Sequence, residues 1–150
     1  MLKYTSKIIF YVQRFTRRVK TGEERGLYRV AGMIRTSTKR SMRIRKGPST
    51  PGKPPHAHVS SNSGLRAIAF HVNSTSTQAV IGPIKFYRSN YFNAPATQIQ
   101  EFGGIYQGRF RDKRKPANYP ERSYMYSTVK RLAEQGKIAK EFSVGVAQLF

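Results

Sequence analysis

The 150-residue chain has no cysteine and no tryptophan, and only seven acidic residues. Without cysteine there is no disulfide and no thiolate metal site. No apolar run approaches the roughly twenty residues that a membrane helix requires. The run Ile8–Val12 is also too short for the core of a signal peptide. These absences point to a soluble product of a reducing compartment with no membrane partner. The acids are one Asp and six Glu, scattered widely. Hydrolytic acid–base chemistry needs paired carboxylates or a carboxylate beside a histidine, and that pairing is missing. His56, His58 and His71, with no clustered acids, make a poor zinc set. Asp112 stands among Arg and Lys, which disfavours a magnesium nuclease. There is no phosphate-cradling Walker loop and no GxSxG motif. The sequence therefore predicts a protein that is not an enzyme and uses no cofactor and no metal.

What the chain does have is positive charge. Lys and Arg total 28, for a net charge of +21. Such an imbalance predicts a polyanionic or acidic partner. The charge is concentrated. Arg14–Lys46 holds twelve basic residues and two acids, and RFRDKRK at Arg109–Lys115 has five basic residues in seven. The aromatics Tyr87, Tyr91, Phe92, Tyr106 and Phe110 lie near basic residues, as in a single-strand stacking platform, although aromatics on alternating strands are more often core.

The fold expected is α+β within a single domain, 1–150. It comprises a small antiparallel β-sheet or sandwich packed by a long basic N-terminal helix and a C-terminal helix, with an extended Pro-rich loop. Tyr4–Gln13 alternates with a period of two and reads as a strand. A helix capped by Thr16 then runs to about Arg43, with Gly22 and Gly26 as weak points and a possible break near Thr21–Gly22. Its apolar stripe carries Val19, Leu27, Val30 and Ile34. The opposite face carries Arg25, Arg29, Arg35, Lys39, Arg40 and Arg43, with Arg45 just beyond. That face is either solvated or turned toward phosphate or an acidic neighbour.

Residues 47–64 form a loop whose prolines Pro48, Pro51, Pro54 and Pro55 exclude helix and inner strand alike. With His56 and His58 it reads as an arm laid along a partner, or else as a plain surface linker. Leu65–Val72 and Gln78–Ile84 predict an antiparallel hairpin turning at Asn73–Thr77. Thr97–Phe102 predicts a helical turn stopped by Gly103 and Gly104, followed by a strand whose tip is RFRDKRK. Ser127–Lys140 predicts a helix, and 141–150 an apolar tail, either a strand or a segment docked on a neighbour.

Taken in order, several of these segments resemble the neck, or tail-completion, proteins of tailed bacteriophages. They are the Arg-rich helix end STKRSMRIRKG at Ser37–Gly47, PSTPGKPPHAH at Pro48–His58 and the Gly-Leu-Arg step at Gly64–Arg66. After them come AVIGP at Ala79–Pro83, EFGG at Glu101–Gly104 and YPERSYM at Tyr119–Met125. The likeness extends over about residues 5 to 140. Ser123, Tyr124 and the pair Tyr126–Ser127 depart from the family's Pro, Phe and Gly-Pro.

The resemblance implies a virion protein made in the host bacterial cytoplasm and placed at the head–tail junction. Its partners are further copies of itself in a cyclic ring, with six-fold symmetry expected, and the connector or adaptor and tail-tube proteins. A ring needs head-to-tail contacts, and the stiff Pro-rich arm suits that role. Arg35, Lys39, Arg40, Arg43, Arg45, Arg109, Arg111, Lys113, Arg114 and Lys115 would face packaged DNA or an acidic ring. Glu101 and Phe102 with Gly103 and Gly104 would form either a structural corner or an interface, with Glu101 as an ion-pair or capping partner of an arginine. The alternative from composition alone is a free-standing basic nucleic-acid-binding protein of ribosomal or packaging type. A metal-dependent nuclease using Glu101 is a weaker third.

Overall fold

One helix, α1 (Leu2–Ser41), is the spine of the molecule. In the computed structural model the described residues are 2–47, 49–51, 53–57, 64–73, 75, 77–84, 100–106 and 117–148. At about 1.5 Å per residue, forty residues give a rod of about 60 Å. The helix takes in Tyr4–Gln13, so the expected N-terminal strand is absent. Ile8 and Val12 of the alternating stretch also start a helical spacing: Ile8, Val12, Phe15 and Val19 are four, three and four apart. No proline interrupts the segment, and the helix propagates through it. Thr16 is therefore no cap. Its hydroxyl donates to the Val12 carbonyl within the helix (2.9 Å). Nor does α1 break at Gly22, and it ends at Ser41 rather than Arg43.

The C-terminal half of α1 is packed. Ala31, Ile34 and Thr38 are buried on one stripe, and Met42 follows just past the helix end. Against it lies a hairpin of β1 (Ile68–Asn73) and β2 (Gln78–Pro83), paired antiparallel from Ile68↔Pro83 to Asn73↔Gln78. The expected start at Leu65 is instead a 3-10 turn, Gly64–Arg66. The Asn73 side-chain oxygen accepts from the Thr75 N–H (3.0 Å), closing the turn as short polar side chains do. Tyr28 meets Phe70 edge-to-face at 6.0 Å, a second tie between helix and hairpin.

Residues 100–102 are helical and end at Gly103 and Gly104, whose φ values of 69° and 133° favour glycine. Then β3 (Gly104–Tyr106) pairs antiparallel with β4 (Ala117–Tyr119). The described strands thus form two separate two-stranded sheets. The predicted single C-terminal helix is two, α2 (Met125–Glu134) and α3 (Lys137–Ala147), hinged at Gly136 with φ 64°. The described part of the apolar tail (141–148) is not a strand. It belongs mostly to α3, which runs back along α1: Glu141 reaches Arg29, and Gly145 reaches Gly26. The deepest side chains gather where the end of α1, the β1–β2 hairpin and the start of α2 meet, as Met42, Ile68 and Tyr124, with Leu65, Ile81 and Met125 around them.

Candidate polyanion surface and the Glu101 corner

The cations expected to share one open face of α1 divide into three groups. Arg29 is paired, its guanidinium donating twice to Glu141 Oε2 (2.9 and 3.2 Å). Arg35 is half-buried, and its Nε donates to the Ile68 carbonyl (2.8 Å), fastening α1 to β1. These two serve the fold first, a correction to a uniformly outward-facing row. Arg40, Arg43 and Arg45 are exposed at the end of α1 and just beyond it.

Lys39 lies between Arg35 and Arg66, and burial followed by those two guanidinium charges pulls its pKa below the ordinary lysine value. The Nε of Arg66, brought in by the 3-10 turn, is buried without a hydrogen-bond partner. Arg35, Lys39 and Arg66 thus bring three positive charges within electrostatic reach of one another. Nothing in the sequence singles out Arg66, because only the fold of the turn carries it to α1. Arg109, Arg111, Lys113, Arg114 and Lys115 lie outside the described residues, as do Pro48 and His58.

The described part of the Pro-rich loop turns back onto its own chain. Ala57 forms a parallel bridge with Ile44, its N–H donating to the Arg43 carbonyl (2.9 Å) and its carbonyl accepting from the Arg45 N–H (3.2 Å). Pro55 and Ala57 are buried, Pro54 is half-buried, and His56 Nδ1 is 3.0 Å from the Gly47 carbonyl. Among the described residues named for the arm, only Pro51 is exposed. The expected extended arm is, over these residues, packed on the subunit itself. Proline has no amide donor to satisfy, so burying Pro55 is cheap.

Glu101 is a helix cap supplied from a distance. Its Oε2 accepts from the N–H groups of Tyr124 (2.9 Å) and Met125 (3.1 Å). Its Oε1 accepts from the Tyr126 N–H (2.8 Å) and the Ser123 hydroxyl (3.1 Å). These are the orphan donors at the start of α2, and a carboxylate there also meets the positive end of the helix dipole. Tyr124, one residue before α2, makes no side-chain cap of its own. The described partners of Glu101 are thus backbone amides and a serine, not the arginine expected. Beside it the Arg122 N–H donates to the Gln100 carbonyl (2.8 Å), a second stitch between the same segments.

Burial, and then the Glu101 charge, push the Tyr124 phenol well above its ordinary pKa. Phe102 and Tyr126 flank the cap with large exposed rings, at 72% and 68%. A carboxylate accepting four hydrogen bonds is committed to structure, and among the described residues no three metal-ligating side chains gather. No described helix is long and apolar enough to cross a membrane. Compared with protein-family models, curated proteins and solved structures, the chain matches none.

Proposed function

We propose that this chain is a structural, non-enzymatic protein of a tailed-bacteriophage virion. It forms a ring at the head–tail junction, joins connector to tail and surrounds the DNA passage. The observation that carries the reading is the Glu101 corner. EFGG and YPERSYM, two motifs of the resemblance far apart in sequence, meet through one carboxylate. Their joint presence then has a physical reason, since each is incomplete without the other.

The surface also suits a ring. Residues 12–18 of α1 are all exposed, including Val12 at 56% and Phe15 at 59%. With Phe102 and Tyr126 they offer apolar area to neighbouring copies in head-to-tail contact. Because the described Pro-rich loop is packed at home, these surfaces take over much of the role expected of the arm.

Negative-stain imaging with native mass measurement tests the reading, on the protein alone and mixed with its connector neighbours. Closed rings of uniform copy number are expected. Particles that stay monomeric in both settings, and bind nucleic acid with steep salt dependence, overturn it in favour of the basic nucleic-acid-binding protein. The net charge of +21 and the cations around Lys39 favour that second reading.

A further inference from the structure

The end of α1, the loop at Pro54 and the first turns of α2 border an open groove of about 460 Å3. Arg40 and Ser37 enter it from α1, Arg131 and Ser127 from α2, and no acidic residue lines it among the described residues. Three of its hydroxyls already donate within their own segments: Ser41 to the Thr38 carbonyl, Ser127 to that of Ser123, and Thr128 to that of Tyr124. The amides at the start of α2 are held by Glu101, so that helix end offers nothing further. The donors left facing the groove are the Arg40 and Arg131 guanidinium groups and the Ser37 hydroxyl. None of the three has a hydrogen-bond or ion-pair partner among the described residues.

Two like charges held across a groove repel, and an anion between them removes that repulsion. Planar guanidinium forks match phosphate oxygens better than they match a point acceptor. Among the described residues the lining has no aromatic ring to stack a base and no side-chain amide or carboxylate to read one. We infer that the groove binds a backbone phosphodiester of a nucleic-acid strand, irrespective of base sequence. Arg40 and Arg131 each take one non-bridging oxygen, and Ser37 supplies a third donor. This goes beyond the resemblance, since Arg131 belongs to none of its motifs, and it holds whether or not the subunits close into rings.

Fluorescence anisotropy of labelled mixed-sequence oligonucleotides, single- and double-stranded, tests this on the full chain across a salt series. The R40Q/R131Q variant is expected to bind about tenfold more weakly near 0.1 M salt. Its slope of log affinity against log salt should flatten by about one, because one phosphate fewer is neutralised. R40K/R131K keeps the charge but not the forks, so it should fall between that variant and the unaltered protein. K137Q/K140Q removes the same charge from the exposed side of α3 and should weaken binding by less than about threefold. Equal losses in the groove and control variants overturn the site, leaving only diffuse attraction. Inorganic phosphate binding as tightly as the oligonucleotide, and lost in R40Q/R131Q, overturns the strand in favour of a free phosphate. Displacement of the oligonucleotide by polyglutamate at equal charge overturns it in favour of an acidic protein. Circular dichroism melting establishes that each variant is folded before binding is read.

Discussion

Gly145 lies directly against Gly26, backbone on backbone. A β-carbon on Gly145 would stand 2.6 Å from the Gly26 Cα and 2.7 Å from its nitrogen. A β-carbon on Gly26 would meet the Phe142 ring at 2.7 Å and the Phe142 carbonyl at 3.0 Å. The two substitutions therefore differ in degree, because the closest contacts at Gly26 are with a ring edge that can rotate away, with backbone only at 3.0 Å, whereas those at Gly145 are all with helix backbone. Alanine gains up to about 1 kcal/mol of helix propensity over glycine, whereas overpacking costs about 1–3 kcal/mol or more. G145A is expected to lose about 2 kcal/mol in urea unfolding, and G26A clearly less. Equal losses would show that α3 shifts bodily along α1.

Replacing Glu101 uncaps α2 from outside the helix. In E101Q one oxygen becomes an amide nitrogen, which faces two donors and turns two acceptances into clashes. The expected cost is about 1–3 kcal/mol, with E101A at the upper end. Hydrogen exchange should quicken first at the amides of Tyr124, Met125 and Tyr126 and leave the β1–β2 hairpin unchanged. Uniform quickening everywhere would refute a local cap.

The buried Tyr124 phenol gives an alkaline signature. Its folded pKa lies above the ordinary value of about 10, so above that pH the unfolded chain releases a proton that the folded chain retains. This contribution to stability is complete below about pH 10 and declines as pH rises toward the folded pKa. Y124F should flatten the decline of stability above pH 10, and E101Q should bring the Tyr124 ionisation, followed by ultraviolet absorbance, part of the way down.

Lys39 behaves in the opposite sense. Its depressed pKa means that the unfolded chain holds the proton more tightly, so stability increases as pH rises through the folded value toward the ordinary one. Its ε-methylene resonance should titrate below the ordinary lysine midpoint. R66Q, which removes one neighbouring charge, should move that midpoint up, as should saturation with a polyanion. No movement in R66Q would place Arg66 too far away to matter.

The β1–β2 hairpin, the glycine stop after residue 102 and a helix after Tyr124 are legible in the sequence because each has a local cause: alternation, a φ that glycine favours, a periodic apolar face. The start of α1 is not, because Tyr4–Gln13 alternates with a period of two while Ile8 and Val12 also begin a helical spacing that continues to Phe15 and Val19, and so short a window does not separate the two. Only the unbroken run to Ala31 and Ile34 decides between them. The pairing of Arg29 with Glu141, the arrival of Arg66 beside Lys39 and the cap from Glu101 leave no local trace. Each joins residues far apart in the chain, and the sequence patterns that reveal elements are silent on which elements meet. Gly26 reads as a flaw in the helix, yet it is where α3 approaches closest.

The distance along the chain from Glu101 to Tyr124 is 23 residues, and that path includes four trypsin targets within Arg109–Lys115, since Lys115 precedes Pro116. Across space the same two residues are one hydrogen bond apart. The carboxylate is therefore a clasp lying parallel to the covalent thread. If the thread is cut between the two strands, the cut ends remain joined by the β3–β4 ladder and by Glu101. A nicked chain would then migrate as two pieces in detergent and as one in its native state.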